Sequence, residues 1–219
     1  MHKGSSVSRR KMLVGALAAP IALQMFGVAR PAVASPDGAS AFVKSLVDAA
    51  ILVLKIPVEE QARRERALRD LLIENFDLPL ITRLVVGRYW RKANDAQKEA
   101  FMMVFEQHIV QVYTSQLGVY RDQRVEMRNV NARTDKDTIV GTEIMRQSDP
   151  PLRLDWLVRE TNGSYKIIDL ATEGVSMMTT KRSEFSSVIA REGIDGLMDR
   201  LEQLNQSGAI EIATEIGQS

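Results

Sequence analysis

The sequence contains no cysteine among its 219 residues. This absence excludes disulfide bonds, thiolate metal sites, a cysteine nucleophile and a lipid-modified cysteine anchor. Histidine is scarce, with two residues, and aromatic residues make up only 5% of the chain. A chain of this length without covalent cross-links has to be held together by packing, and it suits one domain of moderate size or two small ones.

The first 34 residues lack acidic side chains and have the layout of an export signal. A basic start leads into the apolar run 12–28, and Ala-Val-Ala at 32–34 is the small-x-small pattern of a cleavage site before Ser35. The sequence SRRKML at 8–13 resembles a twin-arginine signal. We therefore predict a cleavable signal peptide at 1–34, of the twin-arginine type. A membrane anchor is the alternative, but 17 residues interrupted by a proline and a glutamine are marginal for crossing a bilayer.

The whole chain also lacks an excess of charge of either sign, since it has 29 basic and 28 acidic residues. Removing residues 1–34 takes away five basic residues and leaves 24 against 28, a net charge of about −4. An acidic exported domain is a poor candidate for binding nucleic acid through bulk electrostatics. We predict one domain at 35–219 that is extracytoplasmic, has no permanent membrane anchor and does not bind nucleic acid.

Hydrophobic periodicity divides the rest of the chain into helices, then strands, then helices. The alternation of Leu152, Leu154, Trp156 and Val158 with polar residues is the clearest strand signal. The pattern predicts an α+β fold, with an antiparallel sheet of about four strands that curls under its helices. It leaves open whether the space between sheet and helices is solid or hollow. The predicted helices are 39–54, 58–76, 78–89, 95 to about 117, 179 or 180 to 191, and 195 onwards; the predicted strands are 125–130, 138–145, 152–158 and 165–172.

Catalytic and metal-binding patterns are almost absent. His108 is the one histidine after residue 34, and helical spacing places it on the apolar side of its helix, so a core or rim position is favoured over a ligand or base. No zinc motif is present, and GVSMM at 174–178 is only half of a nucleophile elbow. Asp155 and Asp169 remain candidates for an acid–base pair of a small enzyme.

Several segments together resemble the MlaC family. The sequence EGVSMMTTKRSEF at 173–185, followed by GIDGL at 193–197, is similar to the C-terminal signature of that family. The resemblance continues upstream in VGRYWRKA at 86–93, AQKEAF at 96–101 and PLRLDW at 151–156. It covers roughly residues 40 to 205 in order.

The resemblance implies a cone-shaped fold, NTF2-like or cystatin-like, with an apolar cavity for the acyl chains of a phospholipid. Family members are periplasmic, are not enzymes and use no cofactor beyond the phospholipid that they carry. They pass lipid between an outer-membrane lipoprotein–porin complex and an inner-membrane ABC transporter with an MCE-domain subunit, and the family is connected with toluene tolerance and outer-membrane asymmetry. A hopanoid-associated branch shares the fold, so the lipid class stays open. A further alternative is a protein-interaction domain that has a filled core and binds no lipid.

The periodicity of the predicted helices and strands assigns residues to their inner faces and so gives a set of candidate pocket residues. Apolar positions on the long helix and on the strand 152–158 face the same space, and methionines near residue 177 would adapt to chains of different length. Lys181 and Arg182 are candidates for docking a partner. The predicted lipid-binding residues are Leu84, Tyr89, Phe101, Phe105, Ile109, Tyr113, Leu154, Trp156, Val158, Val175, Met177 and Met178.

Overall fold

A computed structural model describes residues 35–117, 124–146 and 149–207. The predicted signal peptide at 1–34 lies outside these residues. Helix α1 (Pro36–Leu54) begins where Ser35 accepts a hydrogen bond from the backbone N–H of Gly38, with a proline in its first turn. None of the described helices is both long and apolar enough to cross a membrane.

Three further helices precede the sheet, each with a local start signal. Asp77 caps α3 by accepting from the N–H of Leu80. Asn94 and Gln97 form a capping box at α4, in which each side chain accepts from the other's backbone N–H. The bounds are α2 Gln61–Asn75 after a 3-10 turn at Val58–Glu60, α3 Leu78–Val86 before a 3-10 turn at Gly87–Tyr89, and α4 Asp95–Leu117.

The strands form one antiparallel sheet with the order β1-β2-β3-β4-β5. The predicted α+β class is therefore confirmed, and the four long strands are joined by a fifth of only two residues. Register shifts in β1 and β4 mark bulges, which bend a strand and increase its twist. The bounds are β1 Arg124–Ala132, β2 Asp137–Met145, β3 Leu152–Thr161, β4 Ser164–Thr172 and β5 Val175–Ser176.

The last helix, α5 (Met177–Ser207), starts earlier than the sequence predicts. Ser176, rather than Thr179 or Thr180, caps it by accepting from the N–H of Thr179 at 3.0 Å. The predicted break at Gly193 is present, because this residue has a φ of 76° that glycine adopts without strain.

Two apolar clusters hold the elements together. On one side, Phe185 of α5 packs edge-on against Phe101 and Phe105 of α4, with ring centroids 6.2 and 5.8 Å apart. On the other side, Val43 of α1 and Val158 of β3 belong to a fully buried cluster between α1 and the sheet. Helix α1 crosses β1 to β3, whereas α2, α3 and α5 contact β4. All four helices therefore cover one face of the sheet.

The outer face of the sheet carries paired charges. Arg159 donates two hydrogen bonds, of 2.7 and 2.8 Å, to the carboxylate of Asp137 on the neighbouring strand. Hydrogen bonding from Arg159 lowers the pKa of Asp137 below its ordinary value of about 3.8, and the same contact raises the pKa of Arg159. Arg153 pairs with Asp155 at 2.9 Å. These ion pairs lie on the face of the sheet opposite to the one that carries Leu154, Trp156 and Val158.

Candidate functional site

Between the helices and the inner face of the sheet lies a cavity of about 350 Å³. This volume is within the range of small-molecule sites, about 300–1,000 Å³. The second half of α1, helices α2 to α4, the first turn of α5 and strands β1 to β4 all contribute to its lining. Of the 28 lining residues described, 24 are apolar. The sequence left open whether the space between sheet and helices is solid or hollow, and the structure has a cavity there.

The cavity has a closed end formed by the cluster under α1. Val140, Val158 and Ile167 of the sheet are fully buried there against Ala39 and Val43 of α1. These side chains fill the space between helix and sheet. A ligand therefore cannot extend past this end.

At the opposite end of the sheet the lining is more exposed. Val125, Ile144 and Leu152 lie next to each other on β1, β2 and β3 and are only half-buried. Thr172 at the end of β4 and Lys181 in α5 line the cavity as well. We refer to this side as the open end, because a ligand would meet water here.

The four polar lining residues are His108, Asp169, Thr172 and Lys181, and hydrogen bonds engage most of them within the protein. His108 is buried, and its Nδ1 lies 3.2 Å from Oδ1 of Asn205. Because Nδ2 of Asn205 donates to the carbonyl oxygen of Val104, Oδ1 is left as the acceptor and His108 Nδ1–H as the donor. This arrangement makes His108 a hydrogen-bonded wall residue of the cavity.

Asp169 performs a structural task at the start of α5. Its carboxylate accepts from the hydroxyl of Ser176 at 2.5 Å and from the N–H groups of Met178 and Leu170 at 3.0 and 2.9 Å. Asp155 pairs with Arg153 on the outer face. The two carboxylates proposed as an acid–base pair are thus engaged in separate contacts and do not converge.

Metal binding finds no support in the part of the chain that the structure describes. There, no group of three or more histidine, aspartate or glutamate side chains is arranged to hold an ion. The polar atoms of the cavity are few and dispersed.

Six of the twelve predicted pocket residues line the cavity. They come from three elements: the long helix α4, strand β3 and the first turn of α5. Their role as lipid contacts stays a prediction. The six are Phe105, Ile109, Leu154, Trp156, Met177 and Met178.

The other six predicted residues are not among the cavity lining. Phe101 is one turn before Phe105 and packs against Phe185, and Val158 lies in the cluster at the closed end. Val175 is 57% exposed, because its neighbour Ser176 turns towards Asp169 and alternation directs Val175 to solvent. Leu84 and Tyr89 are half-buried outside the lining, and the side chain of Tyr113 lies outside the described part.

Residues that the sequence analysis missed form a large share of the lining. They include five residues in the second half of α1, between Leu46 and Leu54, and the α2 positions Leu68, Leu71 and Leu72. The signal was present as apolar stripes on both helices, but such a stripe looks the same whether it faces a filled core or a void.

The chain was compared with known families and proteins. The family model described as MlaC protein matches residues 44–203. An intermembrane phospholipid transport system binding protein MlaC of Haemophilus influenzae is 25% identical over 123 residues, 54% of this chain and 58% of the relative. Toluene tolerance protein ttg2D of Pseudomonas putida is 22% identical over 112 residues, 51% and 52% of the two chains. The chain thus spans between half and three fifths of these curated relatives.

A solved structure supports the fold. It is a phospholipid-binding protein of Ralstonia solanacearum in complex with a phospholipid, 24% identical, with a TM-score of 0.68. The match covers 78% of this chain and 98% of the other. The two chains share the same architecture.

Proposed function

Because the chain belongs to the MlaC family, we propose that its domain at 35–219 is a periplasmic phospholipid carrier of an intermembrane transport system. The acyl chains occupy the apolar cavity, and the headgroup stays at the open end. The observation that carries the proposal is the composition of the lining, with 24 apolar residues among 28. Two similar proteins, an intermembrane phospholipid transport system binding protein and a phospholipid-binding protein solved with a phospholipid, support this ligand.

The energetics explain why such a carrier is needed. Burying one CH₂ group is favourable by about 0.8 kcal/mol, so exposing a sixteen-carbon chain to water costs on the order of 12 kcal/mol. A cavity as apolar as the bilayer makes transfer from membrane to protein nearly neutral. The closed end keeps water away from the chain termini.

The same lining favours loose selection among phospholipids. Met177 and Met178 repack easily around chains of different length, and a wall with few polar groups distinguishes little among the headgroup alcohols of phospholipids. We expect bound lipids to vary in headgroup and to follow the composition of the host membrane.

The proposal includes no chemical step on the lipid. Asp169 is engaged in the start of α5 and His108 in the contact with Asn205. The Ser176 hydroxyl beside Asp169 also accepts the N–H of Thr179, so both side chains are used to cap α5. The protein binds and releases its lipid unchanged.

We further propose export by the twin-arginine route, and exchange with an outer-membrane lipoprotein–porin complex and an inner-membrane ABC transporter bearing an MCE-domain subunit. The route is tested by replacing Arg9 and Arg10 with lysine, which should leave the precursor in the cytoplasm. Exchange is tested by incubating lipid-loaded carrier with the isolated MCE-domain subunit and measuring lipid on each protein.

Carriage itself is tested by transfer between vesicles. Donor vesicles contain isotopically labelled phosphatidylethanolamine and phosphatidylglycerol, and acceptor vesicles are separated from them by a membrane that passes protein only. The purified mature chain should move both lipids to the acceptor. No transfer above a protein-free blank would contradict the proposal.

A further inference from the structure

Among the described lining residues, Lys181 alone carries a permanent positive charge. It is the fifth residue of α5, one turn after the lining residue Met177. Its side chain is only 21% exposed. The aliphatic stem is therefore largely covered by protein, while the ammonium group marks the boundary between apolar cavity and water.

The one partner seen for this ammonium group leaves donors available. Lys181 Nζ lies 2.7 Å from Oε2 of Glu184, one turn along the same helix. Glu184 is 49% exposed, and ion pairs of this kind contribute little in water. A lysine ammonium has three N–H donors, so this contact does not saturate it.

Two backbone N–H groups at the start of α5 are already hydrogen-bonded within the protein. The N–H of Met178 is bonded to Asp169, and the N–H of Thr179 is bonded to Ser176 Oγ, each at 3.0 Å. These two helix amides are thus already satisfied. A negative group at the open end would find Lys181 as its donor rather than either of them.

We propose that Lys181 binds the phosphate group of the lipid whose chains fill the cavity. This inference rests on the proposed function and names the chemical class of its ligand: lipids that carry a phosphate are selected over neutral lipids with the same chains. The phosphate is common to all glycerophospholipids, so the contact does not distinguish headgroup alcohols. A partly covered ammonium binds phosphate more strongly than one in bulk water, because the surrounding dielectric constant is lower.

Arg182 provides a matched control. It carries the same charge at the next position of the helix, it is exposed, and it is not among the cavity lining. Its guanidinium packs against Gly87, where an added Cβ would lie 2.9 Å from Nε. Lys181→Met and Arg182→Met therefore change the net charge equally, but only the first removes a cation from the cavity.

The experiment offers equal amounts of dioleoyl phosphatidylglycerol and dioleoylglycerol in vesicles to the mature wild type and to both variants. Native mass spectrometry then gives the ratio of the two bound lipids. Wild type and Arg182→Met should be enriched in the phospholipid, and Lys181→Met should lower the enrichment about tenfold, the size expected for one charge-assisted hydrogen bond. Lys181→Arg should restore most of it.

Each other outcome overturns something definite. If lipid-loaded Lys181→Met binds the two lipids in the same ratio as wild type, the phosphate contact is contradicted, but the carrier function is not. Failure of the wild type to take up either lipid contradicts the carrier function itself. Inorganic phosphate that binds wild type but not Lys181→Met, together with a phospholipid enrichment that is the same in both proteins, would assign Lys181 to free phosphate and overturn the proposal. Thermal unfolding checks that each variant is folded, and Lys181→Gln replaces Lys181→Met if that variant is not.

Discussion

The hydroxyl of Ser176 donates a 2.5 Å hydrogen bond to the carboxylate of Asp169. The bond joins β4 to the residue that caps α5, and the same carboxylate accepts from the N–H of Met178. One aspartate therefore fixes the position at which α5 leaves the sheet. Because Met177 and Met178 line the cavity, this contact also sets one of its walls.

Replacing Asp169 by alanine should destabilise the fold and loosen this wall. The change leaves a hydroxyl and two backbone N–H groups without their acceptor, which typically costs about 1–3 kcal/mol. Urea unfolding measures the loss. Asp199→Ala, an exposed position on the same helix, is the control and should stay close to wild type. Equal stabilities of the Asp169 and Asp199 variants would contradict this role of Asp169.

Strand β3 gives a test of which face meets the ligand. Leu154 lines the cavity, whereas Leu157 is not among the lining residues. We expect Leu154→Asp to lose most of its bound lipid, because a carboxylate among apolar side chains would exclude an acyl chain. Leu157→Asp should retain it. Lipid is quantified after extraction from folded protein, and retention in both variants would place the ligand elsewhere.

Gly141 on β2 lies beside Asn129, which is in the bulged part of β1. A Cβ there would lie 2.6 Å from Oδ1 of Asn129, closer than real contacts allow. Because Asn129 is exposed and its amide can rotate away, we expect Gly141→Ala to destabilise the protein by at most about 1 kcal/mol. The cost should be smaller when Asn129 is also alanine, and the double-mutant cycle measures that coupling. If the effects of the two substitutions on the free energy of unfolding are fully additive, the Asn129 side chain is not what the added Cβ at residue 141 meets.

Acid should weaken the pair of Asp137 and Arg159. Folding lowers the pKa of Asp137, so its stabilising effect is complete well above the ordinary value of about 3.8 and is lost as the pH falls through the lower pKa of the folded carboxyl. At pH 7, Asp137→Asn should therefore be less stable than wild type, and the difference should shrink below about pH 4. Asp135→Asn, an exposed neighbour, is the control. A difference that is constant with pH would contradict this account.

Much of the architecture is readable from local sequence. Alternation identified β3, and helical spacing identified α4 from residue 95 to about 117, because both signals lie within a few residues of one another. The cap of α5 was mispredicted, since Ser176 is selected by a contact with Asp169 on another element. Long-range contacts of this kind leave no local pattern.

The cavity was only partly predictable for a related reason. Trp156 and Val158 share one face of β3, yet the first lines the cavity and the second is sealed under α1. The two residues differ in their position along the strand relative to the closed end of the cavity, and alternation carries no information on that position. The same holds for α1, whose Val43 is packed solid while Ile51 borders the void.

The central claim is that this cavity holds a phospholipid, and native mass spectrometry tests it most directly. The mature wild type, exported and purified without detergent, should carry the added mass of a diacyl phospholipid. Ala50→Trp, which fills the cavity from α1, should carry little, whereas Ala190→Trp on the exposed side of α5 should match wild type. A wild-type protein that stays free of lipid, even after incubation with phospholipid vesicles, would contradict the account.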